Sequence, residues 1–183
     1  MKIVDVKNAV KVFDIEPRFD HTNNLIKITN KIDDLELLKS NAGRVYLIVI
    51  DEEIVKIGGS ESKGGILSTF SFYCGAMAGG PSLRTFGCMY LMREALDQGK
   101  KVEIYLIKTT MMPVEVENLT GKVKVMASVS FKYIEDACKA EWLENNEELP
   151  AWNFQERAEQ WDSNITYYRA NRSEYRELIK NRI

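Results

Sequence analysis

Two polar side chains interrupt a strongly apolar segment, residues 44–60. Tyr46 lies within the run 45–50, and Lys56 lies near the end of the run 54–57. An unpartnered polar group buried in an apolar strand costs about 1–3 kcal/mol, so we expect both side chains to have a chemical purpose. A phenol accepts a proton at neutral pH only if a nearby positive charge lowers its pKa, and the Lys56 ammonium can supply that charge. The pair therefore indicates proton-transfer chemistry.

The elements that would position these side chains follow the order strand, strand, helix, strand. The apolar runs predict strands at 44–50 and 53–58, joined by an acidic turn. A helical pattern runs from 83 to 99, and a further strand follows at 101–107. Later elements are a strand at 122–127 and a helix from about 131 to 146. This order predicts a small α/β (α+β) layer with a three-stranded central sheet flanked by helices.

Three other segments flank or interrupt this layer. Residues 1–42 are interpreted as an N-terminal arm, which contains a short helix at 33–40. The glycine-rich residues 60–80 are interpreted as an inserted loop, and residues 156–183 as a C-terminal helical extension. The layer itself then occupies residues 43–155, which we expect to be the catalytic domain.

Composition excludes several classes of protein. A chain of 183 residues with 45% hydrophobic and 28% charged residues is typical of one soluble domain with appendages. It has no apolar run long enough to span a membrane and does not begin like a signal peptide, so we expect a cytoplasmic protein. Three separated cysteines and the single His21 do not make a zinc site. A net charge of -2 argues against indiscriminate nucleic-acid coating but permits a local basic face.

The strand pair resembles the signature of the GIY-YIG nuclease family. Val45 and Tyr46 correspond to its first motif, and Lys56, Ile57 and Gly58 correspond to its second, with a lysine where a tyrosine is usual. The resemblance implies a three-stranded catalytic sheet and metal-dependent cleavage of DNA. The type II restriction endonucleases are the branch that the chain resembles most.

The family resemblance extends to residues 140–153. Members carry a helix with one metal-binding glutamate, which runs into a proline and then an asparagine. Glu141, Pro150 and Asn153 stand in that order here. The resemblance therefore implies that Glu141 binds Mg²⁺ or Mn²⁺ and that Asn153 belongs to the catalytic set.

Members also carry an arginine on the helix that follows the second motif. Arg84 is the first arginine after Lys56, and residues 60–80 would be an insertion like that of some restriction enzymes. Arg93 is the alternative. It lies nine residues further on, or about 13 Å along a helix, so the two cannot both reach one phosphate from the helix start. We prefer Arg84.

With these assignments, each step of phosphodiester hydrolysis has a candidate residue. The Arg84 guanidinium holds the phosphate, and a cation on Glu141 stabilises the leaving oxygen. Tyr46 accepts the proton of the attacking water. Family members often relay that proton through a histidine, but Cys88 occupies the corresponding position one turn after Arg84, so Tyr73 is expected to replace it.

The C-terminal extension contains three regularly spaced arginines, Arg169, Arg172 and Arg176. On one helix they would share a face and could contact DNA phosphates. A surface helix packed by its tyrosines gives the same pattern, and the sequence does not choose between the two. The inserted residues 60–80 could instead contact a DNA groove or a second subunit.

The sequence thus predicts a metal-dependent endonuclease of the type II restriction class that cuts double-stranded DNA at a specific site. Each active site cuts one strand, so cleavage of a palindrome favours a homodimer. One alternative is a nicking endonuclease of a phage or mobile element. The other is an inactive DNA-binding module on the same fold.

Overall fold

The computed structural model describes residues 1–18, 24–40, 42–107, 109, 111–155, 157 and 160–182. His21 and Asn41, the latter at the predicted end of the first helix, lie outside these residues. The elements are, in chain order, β1 (Ala9–Pro17), β2 (Ile26–Asn30), α1 (Leu35–Lys39), β3 (Arg44–Ile50), β4 (Glu53–Ser60), α2 (Gly65–Cys74), α3 (Leu83–Asp97), β5 (Val102–Ile107), β6 (Met111–Asn118), β7 (Gly121–Ser128), α4 (Phe131–Asn145), α5 (Ser163–Ala170) and α6 (Arg172–Lys180).

The β3–β4 hairpin confirms the strand pair that the apolar runs predict. Ile50 pairs with Glu53, so only Asp51 and Glu52 form the turn. Both turn residues have positive φ, +46° and +72°. This conformation is that of a tight hairpin turn whose twist matches the flanking strands. β4 continues to Ser60, two residues beyond its predicted end.

The sheet has five strands rather than the predicted three. Its order is β2-β1-β5-β3-β4, and every neighbouring pair is antiparallel. The three predicted strands are β5, β3 and β4, and β1 extends the sheet beyond β5. Residues 1–42 are therefore not simply an arm, because Val12, Phe13 and Ile15 of β1 are buried in the core. The expected three-stranded sheet is wrong because β1 pairs with β5, a strand far away in sequence.

Helices cover both faces of the sheet. One face carries Tyr46 and Ile48, which belong to the same buried cluster as residues of α2, α3, α5 and α6. The other face carries Val45, Leu47 and Val49, which cluster with Trp142 of α4. Alternate residues of β3 thus contribute to separate cores, as expected for a strand that is buried on both sides.

Residues 60–80 contain a helix instead of the predicted loop. α2 begins at Gly65, whose φ of +74° favours glycine. Ile66, Phe70 and Tyr73 recur at helical spacing along α2 and are buried. Because two glycines precede this segment, its helical spacing was not recognised from the sequence. The prediction that residues 60–80 form an irregular loop is therefore wrong.

β6 and β7 form a separate two-stranded hairpin. The sequence predicted only the second strand, at 122–127. The predicted C-terminal helices are present as α5 and α6, which are separated at Asn171. Among the described residues, no helix is long and apolar enough to span a membrane.

Candidate active site

Tyr46 lies on β3, next to the edge strand β4, and contacts a second tyrosine. Its hydroxyl is 2.7 Å from the hydroxyl of Tyr73 on α2, and both side chains are buried. The Tyr46 ring also makes an edge contact with Phe70. Gly58 is opposite Tyr46 in the β3–β4 register, and a Cβ at this glycine would lie 2.6 Å from Tyr46 Cζ. A glycine at position 58 therefore leaves the space that the phenol ring occupies.

Burial controls the ionisation of the two phenols. It raises the pKa of Tyr46 and of Tyr73 above the usual value for tyrosine. The charge of Arg84 opposes this effect on both pKa values. Lys56 was expected to lower the pKa of Tyr46, but its ammonium donates to the Trp152 carbonyl, 3.2 Å away. The cation that acts on the phenols is therefore Arg84.

Tyr46 is among the residues that line a cleft of about 450 Å³ between β4, α3 and α4. Four side chains in this cleft are cationic and two are carboxylates, so the balance of charge favours an anionic ligand. The lining residues are Tyr46, Lys56, Gly58, Gly59, Arg84, Phe131, Lys132, Glu135, Asp136 and Lys139.

The carboxylate nearest the sheet in this cleft is Glu135, not Glu141. A Cβ at Gly59 would collide with Glu135 Oε2 and with the ring of Phe131, so Glu135 lies directly over β4. Glu135 also forms a salt bridge of 2.7 Å with Lys139, one helical turn further on. The absence of a side chain at position 59 brings this carboxylate close to the strand that carries Lys56.

Glu141 lines a different cavity. Its neighbours there include Leu47, Ile54 and Trp142, which belong to the opposite face of the sheet from Tyr46. Six residues of helix separate Glu135 from Glu141, which turns their side chains roughly 120° apart. The structure does not bring Glu141 to Tyr46, so the family spacing and the cleft point to different carboxylates. The sequence offered one indication that Glu135 faces the sheet. Glu135 lies one turn after the apolar Phe131, which begins the predicted helix.

Arg84 is the second residue of α3 and is exposed in the cleft. The Ser82 side chain accepts a hydrogen bond from the Thr85 N–H and fixes the start of this helix. Arg93, the alternative, is fully buried. It donates to Asp97 at 2.9 Å and to the Leu25 carbonyl at 2.7 Å. The geometry therefore favours Arg84 as the phosphate-binding arginine.

Asn153 contacts the backbone of β4, one of the strands that line the cleft. Its side chain is fully buried and accepts from the Ile57 N–H at 3.0 Å while donating to the Ile57 carbonyl at 2.9 Å. The Trp152 N–H donates to the Val55 carbonyl at 2.8 Å. Residues 152 and 153 thus satisfy backbone groups on the outer edge of β4. These contacts indicate a structural rather than a chemical role for Asn153.

Replacing Asn153 by alanine should lower the free energy of unfolding by about 1–3 kcal/mol, because it leaves a buried N–H and a buried carbonyl of Ile57 without partners. Chemical denaturation followed by tryptophan fluorescence measures this loss. Asn145→Ala, at the exposed end of α4, is the matched control and should change stability little. Unchanged stability combined with lost activity would return Asn153 to the catalytic set.

The three C-terminal arginines do not lie along one helix face. Arg169 is on α5 and donates to the Pro81 carbonyl at 2.8 Å. Arg172 begins α6 and donates to the Gly79 carbonyl at 2.7 Å. The break at Asn171 is the reason that the predicted basic ridge, including Arg176, is not continuous. Arg169 and Arg172 instead hold the segment that leads into α3.

The cleft fits a cation that is shared with a substrate. Among the described residues, no group of three histidine, cysteine, aspartate or glutamate side chains could hold a metal ion. Mg²⁺, however, is often held by one or two carboxylates and completes its shell with waters and substrate phosphates. Glu135 and Asp136 both line the cleft, so they meet this smaller requirement.

Comparisons with known proteins identify a similar fold. No model of a protein family matches the chain, and no curated protein matches it. A mutant of bacteriophage T4 EndoII has a TM-score of 0.52 and 19% identity, covering 84% of this chain and 98% of that one. Restriction endonuclease HPY188I in complex with product DNA has a TM-score of 0.46 and 18% identity, covering 82% and 84%. At this identity, the similarity to EndoII establishes the fold alone.

Proposed function

We propose that this chain is a metal-dependent DNA endonuclease, and more specifically a type II restriction enzyme that cuts double-stranded DNA at a specific site. The observation that carries the proposal is the single cleft in which Tyr46, Arg84 and Glu135 meet. Its excess of cations suits a phosphodiester, and its fold is similar to that of bacteriophage T4 EndoII. The sequence resemblance to the GIY-YIG family supports the same conclusion.

In this mechanism, Arg84 binds and orients the phosphate. A guanidinium can donate two parallel hydrogen bonds to phosphate oxygens, and it neutralises charge that builds on them during hydrolysis. Its place at the exposed start of α3 leaves it accessible to a DNA backbone. Lys132 and Lys139 add positive charge along the same cleft.

Glu135, with Asp136 beside it, would hold Mg²⁺ or Mn²⁺. The ion, when bound, stabilises negative charge on the leaving oxygen. The Lys139 ammonium holds the Glu135 carboxylate in place through their salt bridge of 2.7 Å. Glu135 thus takes the role that spacing assigned to Glu141.

Tyr46 is the proposed proton acceptor for the attacking water. Its hydroxyl is buried but borders the cleft, and its hydrogen bond to Tyr73 orients it. We propose that Tyr73 takes the relay role that the family commonly gives to a histidine. Cys88, next to this pair, is fully buried, and burial raises the pKa of its thiol, so the thiol stays neutral.

Cleavage should become faster as pH rises from 6 to 10. Burial holds the Tyr46 pKa above its usual value, so the reactive phenolate is scarce at neutral pH and increases by about tenfold per pH unit. Tyr46→Phe should remove this dependence and reduce the rate at high pH most. Single-turnover rates on plasmid DNA measure both effects.

Tyr167→Phe is the matched control, because Tyr167 is exposed on α5 and bonds to Glu174 outside the cleft. It should keep the wild-type profile. A Tyr46→Phe enzyme with full activity and an unchanged slope would remove Tyr46 from the mechanism.

One experiment separates this function from its alternatives. Purified protein is incubated with supercoiled plasmid, with and without Mg²⁺. Discrete fragments that need Mg²⁺ support a restriction enzyme, and nicked circles support a nicking endonuclease. Plasmid that is shifted on a gel but uncut would support an inactive DNA-binding module. This alternative is suggested by Lys56, which stands where the family usually has a tyrosine.

A further inference from the structure

Lys139 places a positive charge on the carboxylate that we propose for the metal. Its Nζ is 2.7 Å from Glu135 Oε1, and the two residues lie four apart on α4, on the same side of the helix. Their side chains are only 15% and 14% exposed. Attraction between opposite charges is stronger where water is largely excluded, so this ion pair is stronger than an ordinary surface pair. Glu135 is therefore already paired with a cation in the free protein.

The second oxygen of the same carboxylate has little room for another cation. Glu135 Oε2 lies so close to Gly59 of β4 that a Cβ at this position would collide with it. The Phe131 ring packs against the same glycine. A cation in the cleft would therefore have to approach Glu135 Oε1, which the Lys139 ammonium already contacts.

A divalent cation and the Lys139 ammonium compete for this oxygen. Both are positive, and like charges in contact with one carboxylate repel each other at short range. Mg²⁺ also surrounds itself with oxygen ligands at about 2.0–2.1 Å and has no place for an ammonium in that shell. The ion can therefore bind Glu135 only after Lys139 has moved.

The charge of the cleft also opposes a divalent cation until an anion arrives. Four cationic side chains line the cleft, against the carboxylates of Glu135 and Asp136, so positive charges exceed negative ones by two. A DNA phosphate would reverse this balance and add oxygen ligands for Mg²⁺. It would also offer the Lys139 ammonium a second partner, which the flexible four-carbon stem of a lysine can reach without a change in the helix.

We propose that Lys139 exchanges its partner when DNA binds. In the free protein its ammonium contacts Glu135 in the place of the metal ion, and in the complex it contacts a DNA phosphate and leaves Glu135 Oε1 to the ion. The exchange rests on the proposed function, because it takes Glu135 as the metal ligand and DNA as the source of the phosphate. As a consequence, the metal ion and DNA raise the affinity for each other by the same factor.

Binding of Mn²⁺ to the protein without DNA tests the first step of the exchange. The EPR signal of free Mn²⁺ gives the affinity. Lys139→Met keeps an unbranched side chain but removes the ammonium, so it should bind Mn²⁺ at least about tenfold more tightly than the wild-type protein, and Lys139→Gln should do the same. Lys132→Met is the matched control. It removes an exposed charge from the same cleft, which solvent ions screen, and should change the affinity less than about threefold.

A double variant identifies the ligand that Lys139 covers. Adding Glu135→Gln to Lys139→Met should remove the whole gain in Mn²⁺ affinity, and thermal unfolding should show that each variant is folded. Equal Mn²⁺ affinity in the wild-type protein and in Lys139→Met would overturn the proposal. A gain that persists in the double variant would overturn it as well.

The effect of Ca²⁺ on DNA affinity tests the second step. Ca²⁺ prefers oxygen ligands, as Mg²⁺ does, and fluorescence anisotropy of a labelled plasmid fragment gives the affinity with and without it. Ca²⁺ should tighten DNA binding by the wild-type protein more than by Lys139→Met, which can hold the ion before DNA arrives. Equal tightening in both proteins would overturn the exchange.

The two measurements separate this inference from the proposed function. Ca²⁺ coupling that depends on Lys139, in a protein that binds DNA but does not cut it in Mg²⁺, would uphold the exchange and reject the nuclease. Cleavage that needs Mg²⁺, together with equal Mn²⁺ affinity in the wild-type protein and in Lys139→Met, would uphold the nuclease and reject the exchange.

Discussion

Glu135→Gln should abolish DNA cleavage and leave DNA binding nearly unchanged. The substitution keeps the size of the side chain, which lies against Gly59, but removes the charge that would hold the cation. A metal ion supplies several kcal/mol of charge stabilisation in the transition state, so the rate should fall by more than about a hundredfold. Cleavage rates in Mg²⁺, together with gel-shift affinities without it, measure the two effects separately.

Glu141→Gln provides the matched control for this prediction. It makes the same chemical change on the same helix, but Glu141 lines a different cavity from Glu135. This variant should cleave like the wild-type protein. If Glu141→Gln is inactive and Glu135→Gln is active, the assignment from sequence spacing is right and the cleft is not the active site.

Arg84→Ala should slow cleavage by about two to three orders of magnitude. A preorganised donor to the charge that develops in a transition state is worth about 3–4 kcal/mol, and Arg84 is the exposed guanidinium in the cleft. Arg84→Lys should recover only part of the rate, because a lysine keeps the charge but not the paired donors. Single-turnover rates at saturating enzyme separate this loss from weaker binding.

Lys132→Ala is the control for general loss of charge in the cleft. Lys132 is exposed at the start of α4, so its removal should weaken binding in a salt-dependent way and change the cleavage step little. An equal loss of rate in both variants would mean that Arg84 acts only through overall charge.

The strands next to the site could be predicted because their signals are local. The apolar run of β3, the acidic turn and the run of β4 are adjacent in sequence, and the turn needs only two residues. Tyr46, Lys56 and Arg84, which the sequence assigned to one active site, line one cleft, and Tyr73 contacts Tyr46. Their chemical roles remain predictions.

The carboxylate that we propose for the metal could not be chosen in the same way. α4 carries several acidic residues, and the sequence shows the period of a helix but not its rotation about its own axis relative to the sheet. That rotation is set by two contacts between α4 and the sheet. Trp142 packs against β3, and Phe131 packs against Gly59 of β4. The family spacing from Glu141 to Asn153 points to a different turn of the helix from the one that lines the cleft with Tyr46.

The N-terminal strands were missed for a different reason. β1 pairs with β5, so Ala9 lies opposite Ile107. Two strands so far apart in sequence show no local signal of their pairing. Each shows only a short alternation of apolar residues. The sequence likewise did not indicate that Phe70 and Tyr73, within residues 60–80, lie in the core.

The strand order has a consequence for a chain that is still being synthesised. The β1–β2 and β3–β4 hairpins are joined only by β5, which ends at Ile107. Until the ribosome has released that strand, the nascent protein holds two unconnected hairpins with open edges. Glu135 follows later still. A growing polypeptide therefore carries the phenols of Tyr46 and Tyr73 and the guanidinium of Arg84 before α4 is present to complete the cleft.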